Sequence, residues 1–243
     1  MDWRSSADYA ACADLSRDQW AWEFLRRNPR YQADYTAFIT IWQALESDYG
    51  APPQRDFQRW KQDPRAYGPL PGSSADSLDE ATGELCVVDD DRVLLECWMG
   101  AKWGFHKFPL DPARSTPPTP EALSWRPPPP AAPRPEGDLY RLDLAFDLAR
   151  PLPPQLEAAR LRLVSRAAEL RRSGLPAPLS VASERAKWTR WLRLLDAQAA
   201  GATLEAMKES GLCDDVENCA QDLGDALAMS RRGYLDILRL AAD

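Results

Sequence analysis

Residues 186–229 read AKWTRWLRLLDAQAAGATLEAMKESGLCDDVENCAQDLGDALAM. Trp188, Trp191, Leu192 and Leu195 recur at helical spacing, which predicts an amphipathic helix over about 183–199 with these side chains inward. Gly201 breaks it, and Thr203 is placed to cap a short helix that runs to about Ser210. Gly211 makes the next turn. A longer helix over about 214–229 then sets Val216, Ala220, Leu223 and Leu227 on one stripe. Helix, break, short capped helix, glycine turn and helix is the layout of a helix-turn-helix. Gly233 precedes a last segment, Tyr234 to Ala242.

Upstream, residues 154–173 carry Leu156, Leu163 and Leu170 at heptad spacing with arginines between them, and Gly174 and Pro176 stop that helix. Leu139 to Phe146 alternates, with Leu142, Leu144 and Phe146 on one face, and predicts a strand. Ten of the 22 prolines fall between Pro112 and Pro135, a density that favours an extended spacer over helix or central strand. The expected division is therefore an N-terminal domain over 1–111, a proline-rich linker over 112–136 and a helix-turn-helix-like domain over 137–243.

The N-terminal part opens with a helix from about Arg17 to Arg27, capped by Ser16 and ended by Asn28-Pro29. Tyr31, Tyr35, Phe38, Ile39, Trp42 and Leu45 share the spacing of a second helix, Tyr31 to Glu46. With Trp20, Trp22 and Phe24 they form an aromatic cluster, either core or a surface for the other domain or a partner. Residues 53–62 suggest a third, short helix containing Phe57 and Trp60. Leu85 to Val88 and Val93 to Trp98 are β-prone runs around Asp89-Asp90-Asp91 and predict a hairpin. The fold class expected is mainly α with a small β-sheet: a helical, Trp-rich N-terminal domain and a C-terminal helix-turn-helix-like domain.

Composition narrows the function. His106 is the one histidine, which argues against His-dependent hydrolysis and the common His-rich metal sites. Gly-rich phosphate loops, nucleophile elbows and metal-ligand clusters are missing too, so no enzyme activity, cofactor or metal is expected. The five cysteines are scattered and none forms a CxxC pair, which reads as free thiols in a reducing compartment. With no secretory pattern and no long apolar run, a cytoplasmic protein without a membrane role is expected. The formal net charge of −7 argues against coating DNA by charge alone. Charge is segregated, however: residues 160–193 hold nine Lys or Arg and two Glu, and 205–225 reverses that bias.

Two groups of residues carry a family resemblance. Trp22-Glu23-Phe24-Leu25-Arg26-Arg27-Asn28-Pro29, followed by Tyr31 and Asp34-Tyr35, resembles the opening of the proteobacterial transcriptional-regulator-like domain (domain of unknown function 6499). Phe146-Asp147-Leu148-Ala149-Arg150-Pro151-Leu152 with Gln155-Leu156 resembles the start of a second family (domain of unknown function 2285). Leu192-Arg193-Leu194-Leu195-Asp196-Ala197, Gly201-Ala202-Thr203 and Gly233-Tyr234 resemble later parts of that second family. The resemblance implies a helix-turn-helix variant of integrative and conjugative elements, with one basic face on DNA and another packed on the N-terminal domain. It also implies an activator of excision or conjugative-transfer genes that binds promoter DNA, with RNA polymerase, a paralogous regulator or a second copy as partners. The alternative is an acidic antiactivator that sequesters a partner regulator without binding DNA, as single-domain relatives do.

The window 212–228 departs from a basic recognition helix: it holds Asp214, Asp215, Glu217, Asp222 and Asp225 and no Lys or Arg. Only Asn218 and Gln221 remain there to read base edges. The basic candidates lie elsewhere: Arg185, Lys187, Arg190 and Arg193 on or before the first helix, with Arg171, Arg172, Arg231 and Arg232 flanking the unit. Such residues would grip phosphate and fix register.

Overall fold

A computed structural model describes residues 1–70, 87–88, 92–106, 108–114, 116–126, 137–174 and 179–240. Its contacts group the chain into two units, Met1–Pro128 with Ser180–Asp243, and Pro129–Leu179. The first unit thus joins the N-terminal region to the C-terminal helices.

Helix α1, Arg17–Leu25, begins at a complete capping box: the Ser16 side chain accepts from the Gln19 N–H, and the Gln19 side chain accepts from the Ser16 N–H. Helix α2, Pro29–Tyr49, starts two residues before the expected Tyr31, because Asn28 caps it by accepting the Arg30 N–H and Pro29 fits its first position. Asn28-Pro29 therefore ends one helix and begins the next. Helix α3, Phe57–Trp60, follows, capped by Asp56. A 3₁₀ stretch, Ser6–Asp14, precedes α1 and buries Tyr9 and Cys12.

Among the described residues, the expected small β-sheet comes down to one minimal ladder. The described ladder is two residues long on each side, β1 Val87–Val88 against β2 Arg92–Val93. The expected turn at Asp89-Asp90-Asp91 and the start of the first run lie outside the described residues. The second β-prone run turns into helix α4, Leu95–Trp103, which buries Leu95, Trp98 and Met99 at three- and four-residue spacing. Residues 139–146 make no strand ladder among the described residues.

The expected linker is folded into the first unit as far as Arg126. Helix α5, Pro120–Leu123, presents a buried Leu123. Trp125 stacks on Phe105 at 4.5 Å and donates its indole N–H to the Asp18 carbonyl at 3.1 Å. The proline run 127–136 lies outside the described residues.

The C-terminal helices are α7 Val181–Ala199, α8 Leu204–Glu209 and α9 Val216–Ala228. Thr203 caps α8 as expected, accepting from the Ala206 N–H, and Asp215 caps α9. The inward stripe of α9 is rotated from the predicted one: Cys219 and Ala226 are buried, and Ala220 is exposed. A π-helical segment, Met229–Gly233, leads into α10, Tyr234–Ile237. The reading of all five cysteines as free thiols is corrected here, since Cys213 and Cys219 form a disulfide with Cα atoms 5.3 Å apart. It ties the turn before α9 to the inner face of that helix, a proximity that linear spacing outside a CxxC pair did not signal.

In the second unit, helix α6 spans Leu152–Arg172. Gln155 holds the preceding loop, accepting from the Asp147 N–H and donating to the carbonyls of Asp147, Arg150 and Pro151.

Candidate nucleic-acid interface

Helix α1 is the hub of the first unit. Every residue from Trp20 to Leu25 is buried, because α1 is enclosed by α5, α7, the π segment and α10. Trp20 and Phe24 meet Trp188 of α7, with ring centroids 5.4 and 6.2 Å apart. Trp22 turns the other way, edge-on to Tyr31 at 5.9 Å and to Phe105 at 6.3 Å. Trp42 packs farther along α2 against Trp60 and Phe108, and Tyr35 rests half-buried on Phe38 and Tyr31. Of the aromatic candidates, Trp20 and Phe24 therefore face the C-terminal helices, whereas Trp22, Tyr31, Tyr35 and Trp42 knit the N-terminal region to itself.

A buried polar cluster fastens α1 to α7. Arg27 makes a two-pronged bond to Asp196, Nε to Oδ1 at 2.7 Å and Nη2 to Oδ2 at 2.9 Å. Its Nη1 also donates to the carboxylate and carbonyl of Glu23, and Glu23 takes a second pair from Arg26 at 2.8 Å. Two cations thus meet two carboxylates. Burial opposes the Arg27 charge, but the bonds and charges of Asp196 and Glu23 outweigh it and hold the guanidinium protonated. Tyr9 donates to Asp196 at 2.6 Å; burial first, and then that bond, push its hydroxyl well above the usual phenol range. The buried Asn28 side chain adds a bond to the Ser230 carbonyl at 3.1 Å in the π segment. The buried Tyr234 hydroxyl reaches the Trp103 carbonyl at 3.2 Å.

This packing consumes much of the basic face expected on α7. Arg193 donates to the carbonyls of Trp3 and Arg4 at 2.9 and 3.0 Å, so it fixes the N-terminal segment. Arg190 pairs with Asp222 at 2.8 Å, Lys187 pairs with Glu184 over the Trp191 ring, and Arg185 is half-buried. Arg231 and Arg232 stand exposed on the π segment at the end of α9. Arg171 and Arg172 are exposed in the second unit, where each donates to a carbonyl one turn earlier on α6. The structure thus brings Arg231 and Arg232 together with α9, engages the exposed Arg190 with Asp222, and sets the half-buried Arg193 against the N-terminal segment.

The same packing resolves one of the acids on α9. Asp222 faces α7, accepting from the Trp191 indole at 3.1 Å as well as from Arg190, so it lies off the exposed face. That face carries Glu217, Asn218, Ala220, Gln221, Gly224 and Asp225. Asn218 donates its amide to the capping Asp215 at 2.9 Å and Gln221 donates its amide to Asp225 at 3.2 Å, so each is bonded to a neighbouring carboxylate on an exposed, acidic face. Among the described residues no group of three His, Cys, Asp or Glu is arranged to hold a metal ion, and no helix is long and apolar enough to cross a membrane.

Residues 2–61 match the model of the proteobacterial transcriptional regulator-like domain. That stretch contains α1, with Trp20, Phe24 and Arg27, together with α2 and α3. No curated protein and no solved structure matches the chain. A stretch resembling a transcriptional regulator-like domain therefore contains the helix against which α7, the π segment and α10 pack. Sequence reasoning missed Arg27, Asp196, Tyr9 and Asn28 as interface residues. Arg27 and Asn28 lie inside the stretch resembling the first family, and Asp196 inside one resembling the second. Nothing in the spacing of either stretch signals that they pair.

Proposed function

We propose that the chain is a DNA-binding transcriptional regulator, an activator of excision or conjugative-transfer genes of a mobile element, acting in the cytoplasm without enzymatic activity. The observation that carries this reading is the unit α7–α8–α9, in helix-turn-helix order, clamped through Arg27 and Asp196 to the regulator-like segment. In this reading α9 presents Asn218 and Gln221 to base edges, while Arg231 and Arg232 at its far end hold phosphate. Arg171 and Arg172 of α6 are further phosphate contacts. Because the clamp buries α1, the DNA-reading helices are held at a fixed orientation on the N-terminal region. RNA polymerase or a paralogous regulator would then meet that region.

The test is a gel-shift assay with DNA fragments from the chain's own genetic neighbourhood, in the presence of excess unrelated duplex. Retention of one fragment supports the reading, and release of all fragments by the competitor contradicts it.

A second reading is favoured by the acidic exposed face of α9, where Asp214, Asp215, Glu217 and Asp225 would oppose phosphate. In it the chain is an antiactivator that binds a partner regulator through this face. Binding to such a regulator without any DNA shift at low salt is its signature.

A further inference from the structure

The bond between Cys213 and Cys219 closes a short loop at the start of α9, with a sequence separation of 6. Inside it lie Asp214, Asp215, Glu217 and Asn218, the acidic beginning of the exposed face and one of its two amides. The chain is tied down on both sides of the turn. Before it, Leu212 is buried and donates its N–H to the Met207 carbonyl at 3.2 Å. After it, Asp215 bonds forward into α9, its side chain taking the Asn218 N–H at 2.7 Å and its carbonyl the Cys219 N–H at 3.1 Å. Asp214 between them is exposed. Cys213 thus fastens the middle of the turn to the inner face of α9, and the fastening is the S–S bond.

The two partners differ in access. Cys219 is 0% exposed, whereas Cys213 is half-buried at the turn. A thiol arriving from solvent therefore meets Cys213, and Cys219 acts from within. When reduced, both residues behave as small apolar side chains, so their surface keeps the packing of α9 on α7 and α8. In the reducing cytoplasm proposed for this chain, disulfides are chiefly transient and serve catalysis or redox sensing. The neighbours of this bond are the carboxylates and the amide of the proposed contact face, so what the bond governs is that face.

We propose that Cys213 and Cys219 are a thiol–disulfide exchange site for small thiols of the glutathione class, closed to hold the start of α9 and opened to loosen it. In closing, the Cys213 thiolate attacks one sulfur of a small-molecule disulfide; that S–S bond breaks, and one small thiolate leaves and takes up a proton. The Cys219 thiolate then attacks the Cys213 sulfur of the mixed disulfide, and the second small thiolate leaves and is protonated. The protein gives up two electrons and two protons, and the small disulfide is reduced to two thiols. Opening is the reverse, begun by a small thiolate at Cys213. The effect on DNA rests on the reading of α9 as the base-contacting helix; the exchange chemistry does not.

The test uses the full chain equilibrated with reduced or with oxidised glutathione at neutral pH. Acid quenching, alkylation and peptide mapping assign each thiol, so that Cys12, Cys86 and Cys97 are counted apart. Excess reduced glutathione is expected to open the bond in the folded chain, and oxidised glutathione to restore it. Amide hydrogen exchange over 211–219 should run on the order of tenfold faster in the open form, while α7 stays protected. Cys219→Ala should trap a glutathione adduct on Cys213, and Cys213→Ala should leave Cys219 without one. A bond that resists excess reduced glutathione until the chain is denatured is a purely structural crosslink and would overturn the proposal. Equal exchange in the two forms would overturn it as well. Anisotropy with a promoter fragment is then compared in the two forms, and several-fold tighter binding by the closed form is expected. Equal binding by both overturns the control of α9. No binding by either overturns the DNA reading, while the exchange result still decides the switch.

Discussion

Arg27 and Asp196 stand 169 residues apart in the chain and share two hydrogen bonds, at 2.7 and 2.9 Å, in the interior between α1 and α7. The pair turns two separate stretches of sequence into one packed unit. Replacing Arg27 by Met leaves Asp196 and Glu23 short of a cation, and Asp196→Ala strands part of the guanidinium. Each should cost about 3–5 kcal/mol, as for other broken buried ion pairs. Urea denaturation followed by tryptophan fluorescence measures this. The double variant should lose less than the sum of the singles, because the two act through one contact.

Gly68 lies against the face of Trp98. A methyl group there would sit 2.4 Å from Trp98 Cγ, well inside contact distance. Gly68→Ala should therefore destabilise the chain by about 1–3 kcal/mol through overpacking. Thermal melts compared with Gly174→Ala give the contrast, since Gly174 has open space around its Cβ direction, though its φ of +74° adds strain of its own.

Glu96 carries a buried carboxylate oxygen, Oε2, without a hydrogen bond, and burial raises its pKa above the usual 4.5. The folded chain then holds this proton more tightly than the unfolded chain does. Its destabilising effect is absent below the unfolded pKa of 4.5, grows as pH rises from there towards the raised folded pKa, and is complete above the folded pKa. Glu96→Gln should thus stabilise the chain at neutral pH by on the order of 1 kcal/mol and have little effect in acid. Equal effects at both pH values would show that the charge is not the cause.

The cysteines should react in two classes. Burial, with the nearby Glu23 charge, pushes the Cys12 thiol up to about 11, so it should resist alkylation at neutral pH until the chain unfolds. A non-reduced digest should yield a linked peptide joining Cys213 and Cys219. Cys213→Ser should remove that peptide and lower stability by about 2 kcal/mol, the chain-entropy value for so short a loop.

Local signals are legible in the sequence where one element fixes its own geometry. Ser16, Thr203 and Gly211 mark helix ends through their own backbone and side-chain chemistry, and α7 and α8 lie close to where spacing puts them. Failures came where tertiary packing decides. Val93 to Trp98 has β-prone residues, yet Trp98 and Met99 find their burial in a helix. On α9 the predicted stripe ran through Ala220, but the disulfide partner Cys219 and the small Ala226 take the inner face. Charged residues were the least legible. Arg190 and Arg193 look like a solvated basic face, and only the fold shows that Asp222 and the carbonyls of Trp3 and Arg4 already hold them.

The measurement closest to the central claim is fluorescence anisotropy of a promoter fragment from the chain's own neighbourhood, titrated with wild type and with Arg231→Glu/Arg232→Glu at several salt concentrations. Wild-type binding should fall steeply with salt, and the variant should bind more weakly, with a salt slope shallower by about two phosphate contacts. Wild-type binding that is absent even at low salt would contradict a DNA-reading role for α9 and its basic end, and would transfer the acidic face to a protein partner.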